Sequence, residues 1–172
     1  DLVLSRGLGD VYKRQGYSDI TAIHNEIHNL GVESIHGVMC KSLEDISVDD
    51  DSIKKLKDII FGDGELSYII EGNKYNIPGI GNGKLVGGNL TLLQSLLQSK
   101  SSIDTTNKII FIEDLGEYLY HIDRMLHSLK RADYFSICSG LIIGDFTEIK
   151  KNETNFGKNL YEIINEIVEV YN

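Results

Sequence analysis

The sequence predicts an α/β protein, because short apolar strands alternate with amphipathic helices along the chain. The two clearest strands lie at 108–112 and 140–146, and both are continuous apolar runs of the kind found in buried parallel strands. Residues 118–132 and 156–171 follow these strands and carry apolar side chains at three- and four-residue spacing, which predicts helices. Such alternation is typical of a parallel sheet whose strands are connected by helices.

The N-terminal half shows the same alternation less regularly. Its first helix ends at Gly31, and its second begins in the acidic run at 49–52, where negative charge favours a helix start. The acidic run lacks the ligand spacing of a calcium loop, so a solvated helix start is favoured over a cation site. The elements predicted here are a helix at 19–30, a strand at 32–39, a helix at 49–60 and strands at 66–71 and 74–77.

A glycine-dense loop at 79–88 follows Pro78, the single proline of the chain. It predicts the boundary between two domains, at 16–77 and 78–172, and a helix at 89–98 comes after it. The loop contains neither of the common phosphate-binding glycine motifs, so its glycines are expected to allow positive φ and a close approach of the backbone to a ligand or a neighbouring helix.

The first fifteen residues do not fit the pattern that follows. Residues 1–15 show neither strand nor helix periodicity, and the letters DVYKRQ within them resemble a translated sequencing adapter. We therefore expect 1–15 to be a non-native leader and exclude it from reasoning about the fold.

The amino-acid composition argues against two classes of binding partner. The net charge of −9 argues against nucleic acid and against an anionic membrane surface, because both would repel the protein. Cys40 and Cys138 lie far apart and are expected to be reduced thiols. With no apolar stretch of bilayer-spanning length, the sequence predicts a soluble, cytoplasmic protein.

Ser18 is the first candidate for chemistry. It lies in the stretch Gly-Tyr-Ser-Asp-Ile-Thr at 16–21, directly before a helical pattern, where free backbone N–H groups and the helix dipole favour an oxyanion. An ordinary helix N-cap would explain the serine equally well. The stretch also departs from the G-x-S-x-G turn of hydrolases, since Ile20 replaces the second glycine.

Glu113 and Asp114 are the second candidates, because functional groups gather at the carboxyl ends of parallel strands. The alternative is that one carboxylate caps a helix and the other forms a surface pair. His24 and His28 have the i, i+4 spacing of a zinc pair, but Asn25 stands where a zinc-protease motif has Glu. We expect them to be ordinary surface histidines, and no histidine can be assigned as a base for Ser18.

Taken in order, several blocks resemble the serine LD-carboxypeptidases, the family of muramoyltetrapeptide carboxypeptidases and microcin C self-immunity peptidases. The resemblance runs from Gly16 essentially to the end of the chain. The blocks are GYSDITA at 16–22, HG at 36–37, GGNLT at 87–91, FIEDLGE at 111–117, IDRML at 122–126 and GLIIGDF at 140–146.

The resemblance implies a Ser-His-Glu triad, with Ser18 as nucleophile, Glu113 as the acid that orients the histidine and the backbone N–H of Asp19 as an oxyanion donor. It places the catalytic histidine beyond the last helix and an oxyanion-forming loop before Gly16. The chain is therefore expected to be an internal fragment of a longer enzyme and inactive by itself. The implied fold is a partial Rossmann/flavodoxin-like N-terminal domain, followed by most of an α/β C-terminal domain.

The implied reaction is cleavage of the bond to the terminal D-alanine of murein tetrapeptides, without a metal or other cofactor and in a homodimer. Three alternatives stay open. The protein could be an immunity-type peptidase that cleaves a peptidyl-nucleotide, or a non-catalytic domain that binds a ligand through the loop at 79–88. The fragment could also be unable to fold alone.

Overall fold

The computed structural model describes residues 14–39, 50–61, 66–151 and 153–171. Strands and helices alternate and every strand pair is parallel, so the predicted α/β class is confirmed. The strands are β1 (Arg14–Gly16), β2 (Ser34–His36), β3 (Leu85–Asn89), β4 (Ile109–Leu115) and β5 (Gly140–Thr147). The helices are α1 (Thr21–Asn29), α2 (Asp51–Phe61), α3 (Leu90–Ser95), α4 (Leu119–Arg131) and α5 (Leu160–Val168), with 3₁₀ turns at Ser18–Ile20 and Glu169–Tyr171.

The three-stranded sheet has the order β3-β4-β5 and carries the core on one face. Ile110, Ile112 and Asp114 alternate along β4 and are all buried, whereas the residues between them are only partly buried. Helices α3, α4 and α5 supply most of the opposing apolar side chains. The fully buried apolar residues of this core are Leu90, Leu93, Ile110, Ile112, Ile122, Leu126, Leu129, Ile163 and Ile167.

The N-terminal unit is a β-α-β arrangement in which α1 connects the parallel strands β1 and β2. Gly16 at the end of β1 pairs with His36 at the end of β2. Helix α1 packs against β3 and α3, which joins this unit to the three-stranded sheet. Strand β1 includes Arg14 and Gln15, which belong to the segment expected to be a non-native leader; the rest of that segment lies outside the described residues.

The two strands predicted at 66–71 and 74–77 are wrong. Residues 66–77 form no strand, and the hydrogen bonds there are those of a turn, with Asn73 accepting the N–H groups of Tyr75 and Asn76. Ile69 and Ile70 are exposed, so these two apolar side chains are not part of a core. Apolar residues with high β propensity do not form a strand unless a neighbouring strand is present to hydrogen-bond with them.

The glycine-dense loop is shorter than predicted, because Gly87 and Gly88 belong to β3. Both have positive φ, at 122° and 135°. A Cβ on Gly88 would lie 2.6 Å from Oγ1 of Thr21, and one on Gly87 would meet the carbonyl of Phe111. The expected close approach of backbone to a neighbouring helix is therefore found at Gly88.

The remaining predicted elements agree with the structure apart from their ends. The helix predicted at 89–98 ends early, because α3 stops at Ser95. Helix α2 begins inside the predicted acidic run, where Asp50 Oδ1 accepts the N–H of Ser52. Cys40 and Asp49 lie outside the described residues. Within the described residues, no helix has the length and hydropathy needed to cross a bilayer.

Candidate active site

Ser18 occupies a strained turn between β1 and α1. Tyr17 is extended, with φ −144° and ψ −177°, and Ser18 then has φ +58°. A positive φ is uncommon for a residue with a side chain, and such strain tends to persist where function requires it. Ser18 is not the N-cap of α1, because that position belongs to Ile20, which provides no side-chain cap. The N-cap explanation therefore does not account for the serine.

The turn is tight because Gly16 and Ile20 lie against each other. A Cβ on Gly16 would lie 2.8 Å from Cγ1 of Ile20, so the first glycine of the stretch is required by space. The carbonyl of Gly16 accepts the N–H of Gly37 at 3.0 Å and also Nε2–H of His24 at 3.0 Å. These bonds anchor the backbone immediately before Ser18.

Glu113 lies at an irregularity in the pairing of β4 with β5. Ile112 pairs with Ile143 and Asp114 pairs with Phe146, so two residues of β5 lie opposite Glu113 alone. Such a bulge reorients a side chain locally and is common next to active sites. The carboxylate of Glu113 points away from the helical face, its side chain is 18% exposed, and its Oε1 lies 4.0 Å from Nε2 of His36.

Asp114 faces the opposite side of the sheet and has a structural role. Its Oδ1 accepts the Nδ2–H of Asn89 at 2.8 Å and the N–H of Leu115 at 2.8 Å. Its Oδ2 accepts the N–H and the hydroxyl of Thr91, at 3.0 and 2.9 Å. Asp114 thus caps the first turn of α3, whereas Oε1 of Glu113 has no hydrogen-bond partner among the described residues.

A hydrogen bond brings the serine turn next to the Glu113 strand. Oγ1 of Thr21, in the first turn of α1, accepts the backbone N–H of Asn89 at 3.0 Å. Asn89 is in turn paired with Glu113 in the sheet. A cleft lies beside the serine turn, and Tyr17, the residue before Ser18, is one of the residues that line it. The cleft measures about 310 Å³ and is lined by Tyr17, His36, Gly37, Val38, Phe111, Glu113, Asp114, Asp145 and Thr147.

Burial in the cleft disfavours the charged forms of Glu113 and His36. Burial raises the pKa of the Glu113 carboxyl, and the negative charge of Asp114 adds to that increase, while a hydrogen bond from Asn89 opposes it. Burial also lowers the pKa of His36, with a smaller contribution from the charge of His24. Since the ordinary histidine pKa is about 6.5, His36 is neutral at physiological pH.

The sequence did not single out His36 as a site residue, although its position before a glycine at a strand end was a signal. His24 was expected on the helix surface, but it is buried at 6% exposure with Nδ1 lacking a partner among the described residues. Its other nitrogen bonds Gly16, so it stabilises the turn instead of facing solvent. In the described part of the chain, no group of three histidine, cysteine, aspartate or glutamate side chains is placed to hold a metal ion.

Comparison with known proteins identifies the relatives of this chain. The family profile described as LD-carboxypeptidase C-terminal domain matches residues 82–172. The probable murein peptide carboxypeptidase of Bacillus subtilis strain 168 is 41% identical over 136 residues, which are 76% of this chain and 42% of that protein. The murein tetrapeptide carboxypeptidase of Pseudomonas aeruginosa is 25% identical over 149 residues, covering 80% of this chain and 47% of that protein.

Solved structures show the same fold. The muramoyltetrapeptide carboxypeptidase from Oxalobacter formigenes superposes with a TM-score of 0.75 at 23% identity, over 89% of this chain and 52% of that one. The microcin C7 self immunity protein superposes with a TM-score of 0.73 at 19% identity, over 92% of this chain and 56% of that one. The chain spans less than half the length of the two curated relatives above. By the family profile, which matches more than half of its residues, the chain belongs to the LD-carboxypeptidase family.

Proposed function

We propose that the full-length protein containing this chain is a serine-type LD-carboxypeptidase that removes the terminal D-alanine from murein-derived tetrapeptides. Ser18 is the nucleophile, Glu113 is the acid that orients the catalytic base, and the backbone N–H of Asp19 stabilises the oxyanion. The observation that carries this assignment is the strained serine turn, held at φ +58° beside a cleft that contains a carboxylate oxygen without a partner among the described residues.

The chemistry follows from what each group needs. A serine hydroxyl is a weak nucleophile at neutral pH until a neighbouring imidazole takes its proton. A carboxylate is required to fix the tautomer of that imidazole, and Oε1 of Glu113 has a free lone pair for an imidazole N–H. In this proposal the backbone N–H of Asp19, the residue after the nucleophile, stabilises negative charge on the attacked carbonyl oxygen. The imidazolium then returns its proton to the departing amine of D-alanine, and water hydrolyses the acyl-enzyme.

The base itself is a further part of the proposal. His24 donates its Nε2–H to Gly16, and His36 lies 4.0 Å from Glu113, so neither histidine makes a direct hydrogen bond to the acid in this structure. We assign the base to the histidine that the family resemblance places beyond the last helix. The 172-residue chain alone is accordingly expected to bind peptide without turning it over.

The substrate class is supported by the names of the relatives. Curated relatives at 41% and 25% identity are named murein peptide and murein tetrapeptide carboxypeptidases. The likeness to the microcin C7 self immunity protein is one of fold at 19% identity, and it keeps a peptidyl-nucleotide as the alternative substrate. We further propose that the protein is cytoplasmic, in keeping with substrates released from the cell wall for reuse. We also propose that it is a homodimer, as the family resemblance implies.

The test is release of D-alanine from a murein tetrapeptide by the full-length protein. Ser18→Ala is expected to lower kcat by about 10⁴-fold or more, and Glu113→Gln by about 10²- to 10⁴-fold, as for members of other catalytic triads. Ser136→Ala is the matched control, because Ser136 is exposed and bonds only within its own turn. Full activity of Ser18→Ala would refute the assignment. Cleavage of a peptidyl-nucleotide without cleavage of the tetrapeptide would favour the immunity-type alternative.

A further inference from the structure

His36 connects the strand behind the nucleophile to the proposed acid. It is the last residue of β2 and pairs with Gly16, two residues before Ser18. Its ring packs edge-on against Phe111, with centroids 5.2 Å apart and an interplanar angle of 68°, so the ring orientation is constrained. In that orientation Nε2 faces Oε1 of Glu113 at 4.0 Å.

The oxygen that His36 faces is incompletely satisfied. Oε1 of Glu113 is buried and has no hydrogen-bond partner among the described residues. A buried polar atom without a partner is uncommon in folded proteins, because burial removes the hydrogen bonds it would make to water. Catalytic hydrogen bonds are often long in a ligand-free site and shorten when substrate binds. A separation of 4.0 Å is therefore compatible with a bond that forms in the working complex.

The surroundings of His36 keep its ring neutral, so it can donate one N–H without placing a positive charge beside the acid. The titratable groups around it are His24 from α1 at a ring separation of 6.1 Å, Glu113 from β4 at 4.0 Å, and the other cleft residues Tyr17, Asp114 and Asp145. A charged partner would hold the carboxylate in an ion pair and compete with the base for it. A neutral donor can fix the carboxylate and still leave it able to accept a second bond.

We propose that His36 is a positioning residue for Glu113: its Nε2–H donates to Oε1 when substrate is bound and fixes the rotation of the carboxylate, so that Glu113 can hold the catalytic base. The inference rests on the proposed function, since it assumes that Glu113 orients a base. Two other roles are possible for a histidine in this place. It could serve only as packing against Phe111, or it could be the base itself.

Two substitutions in the full-length protein separate these roles. His36→Phe keeps an aromatic ring against Phe111 and removes the N–H donor, whereas His36→Gln keeps a neutral donor and removes the ring. The positioning role predicts that His36→Phe lowers kcat by about 10- to 100-fold at unchanged KM, by analogy with groups that orient a metal-binding side chain through a hydrogen bond. His36→Gln is then expected to stay within about threefold of the wild type. Wild-type kcat in His36→Phe, or equal losses in both variants, would overturn the proposal.

A double-mutant cycle with Glu113 keeps the test valid if a variant is less stable. In the Glu113→Ala background, His36→Phe should cause no further loss of kcat, because the oxygen to which His36 donates is gone. Independent, additive losses would overturn the positioning role, and thermal melts verify that each variant is folded. Labelling of Ser18 by a fluorophosphonate tests the proposed function separately. If Ser18 is labelled but the losses of kcat are additive, only the role of His36 is refuted. If Ser18 is not labelled and Ser18→Ala is active, the proposed function is refuted.

Discussion

Oγ1 of Thr21 accepts the backbone N–H of Asn89 at 3.0 Å, and both residues are buried. This bond joins the first turn of α1, which follows Ser18, to the last residue of β3, which pairs with Glu113. Gly88 makes the contact possible, because any side chain there would collide with Thr21. The hydroxyl of Thr21 and the absence of a side chain at Gly88 therefore help to hold the serine turn against the Glu113 strand.

Thr21→Val is expected to destabilise the protein. The substitution keeps the shape of the side chain but leaves the buried N–H of Asn89 without its acceptor, which costs about 1–3 kcal/mol. Thr106→Val is the control, since the hydroxyl of Thr106 is exposed and bonds only to nearby Asp104; a change within about 0.5 kcal/mol is expected there. Urea denaturation of both variants measures the difference. Equal stability of the two would mean that the bond to Asn89 contributes nothing.

Two glycines of β5 provide a matched pair for testing the packing behind Glu113. A Cβ on Gly144 would lie 2.7 Å from the ring of Phe111 and 3.3 Å from Cβ of Glu113, whereas a Cβ on Gly140 would meet its nearest atom at 3.9 Å. Gly144→Ala is expected to cost about 1–3 kcal/mol, the usual range for overpacking. Gly140→Ala is expected to be neutral or stabilising by up to about 1 kcal/mol, because it restricts the unfolded chain. Thermal melts of the two variants should therefore shift apart, and a common shift would contradict the packing argument.

The C-terminal half of the fold was predictable because its signals are strong. Strands β4 and β5 are largely apolar runs, and α4 and α5 show regular helical spacing, so the residue pattern identified them. The expected burial is wrong for β5, where every residue is partly buried or exposed, because β5 is the edge strand of the described sheet. The strand prediction at 66–77 was wrong for the opposite reason. Its apolar residues are typical of strands, but strand formation needs a partner, and a single sequence does not say whether one is present.

The candidate site was predictable in part. Ser18 and Glu113 were named from the sequence, where only the family resemblance separated Glu113 from Asp114; the different surroundings of the two carboxylates are visible only in the structure. Adjacent strand residues point to opposite faces, and which face holds the helices depends on long-range packing. The same limit applies to His36, whose place beside Glu113 arises from the way α1 docks on β3. The division into domains at 16–77 and 78–172 stays a prediction.

The backbone strain at Ser18 can be measured without any assay of activity. A side chain at positive φ costs about 1–2 kcal/mol, and glycine escapes this cost. Ser18→Gly should therefore be more stable than Ser18→Ala by about 1 kcal/mol, although both lack the nucleophile. At Ser136, which is not among the described residues with positive φ, the order should reverse, with alanine more stable than glycine. If alanine were the more stable residue at both positions, Ser18 would not be strained.

Glu113 is expected to lower stability in exchange for its role in the cleft. Burial, and then Asp114, raise its pKa above the value in the unfolded chain, so the folded state holds this proton more tightly. The stabilisation that comes from the protonated form is complete below the unfolded pKa and is lost as pH rises through the folded pKa. Glu113→Gln removes this loss, because the amide does not ionise.

The variant should therefore unfold at higher urea than the wild type at pH 7–8, and the two should converge as the pH falls through the pKa of Glu113. Asp58→Asn is the control, because Asp58 is exposed on α2 and its replacement should change stability by no more than about 0.5 kcal/mol. A gain in stability together with a loss of kcat would identify Glu113 as a residue kept for function at a cost to the fold. A Glu113→Gln variant that is less stable than the wild type at pH 8 would instead assign the carboxylate a structural role, like that of Asp114.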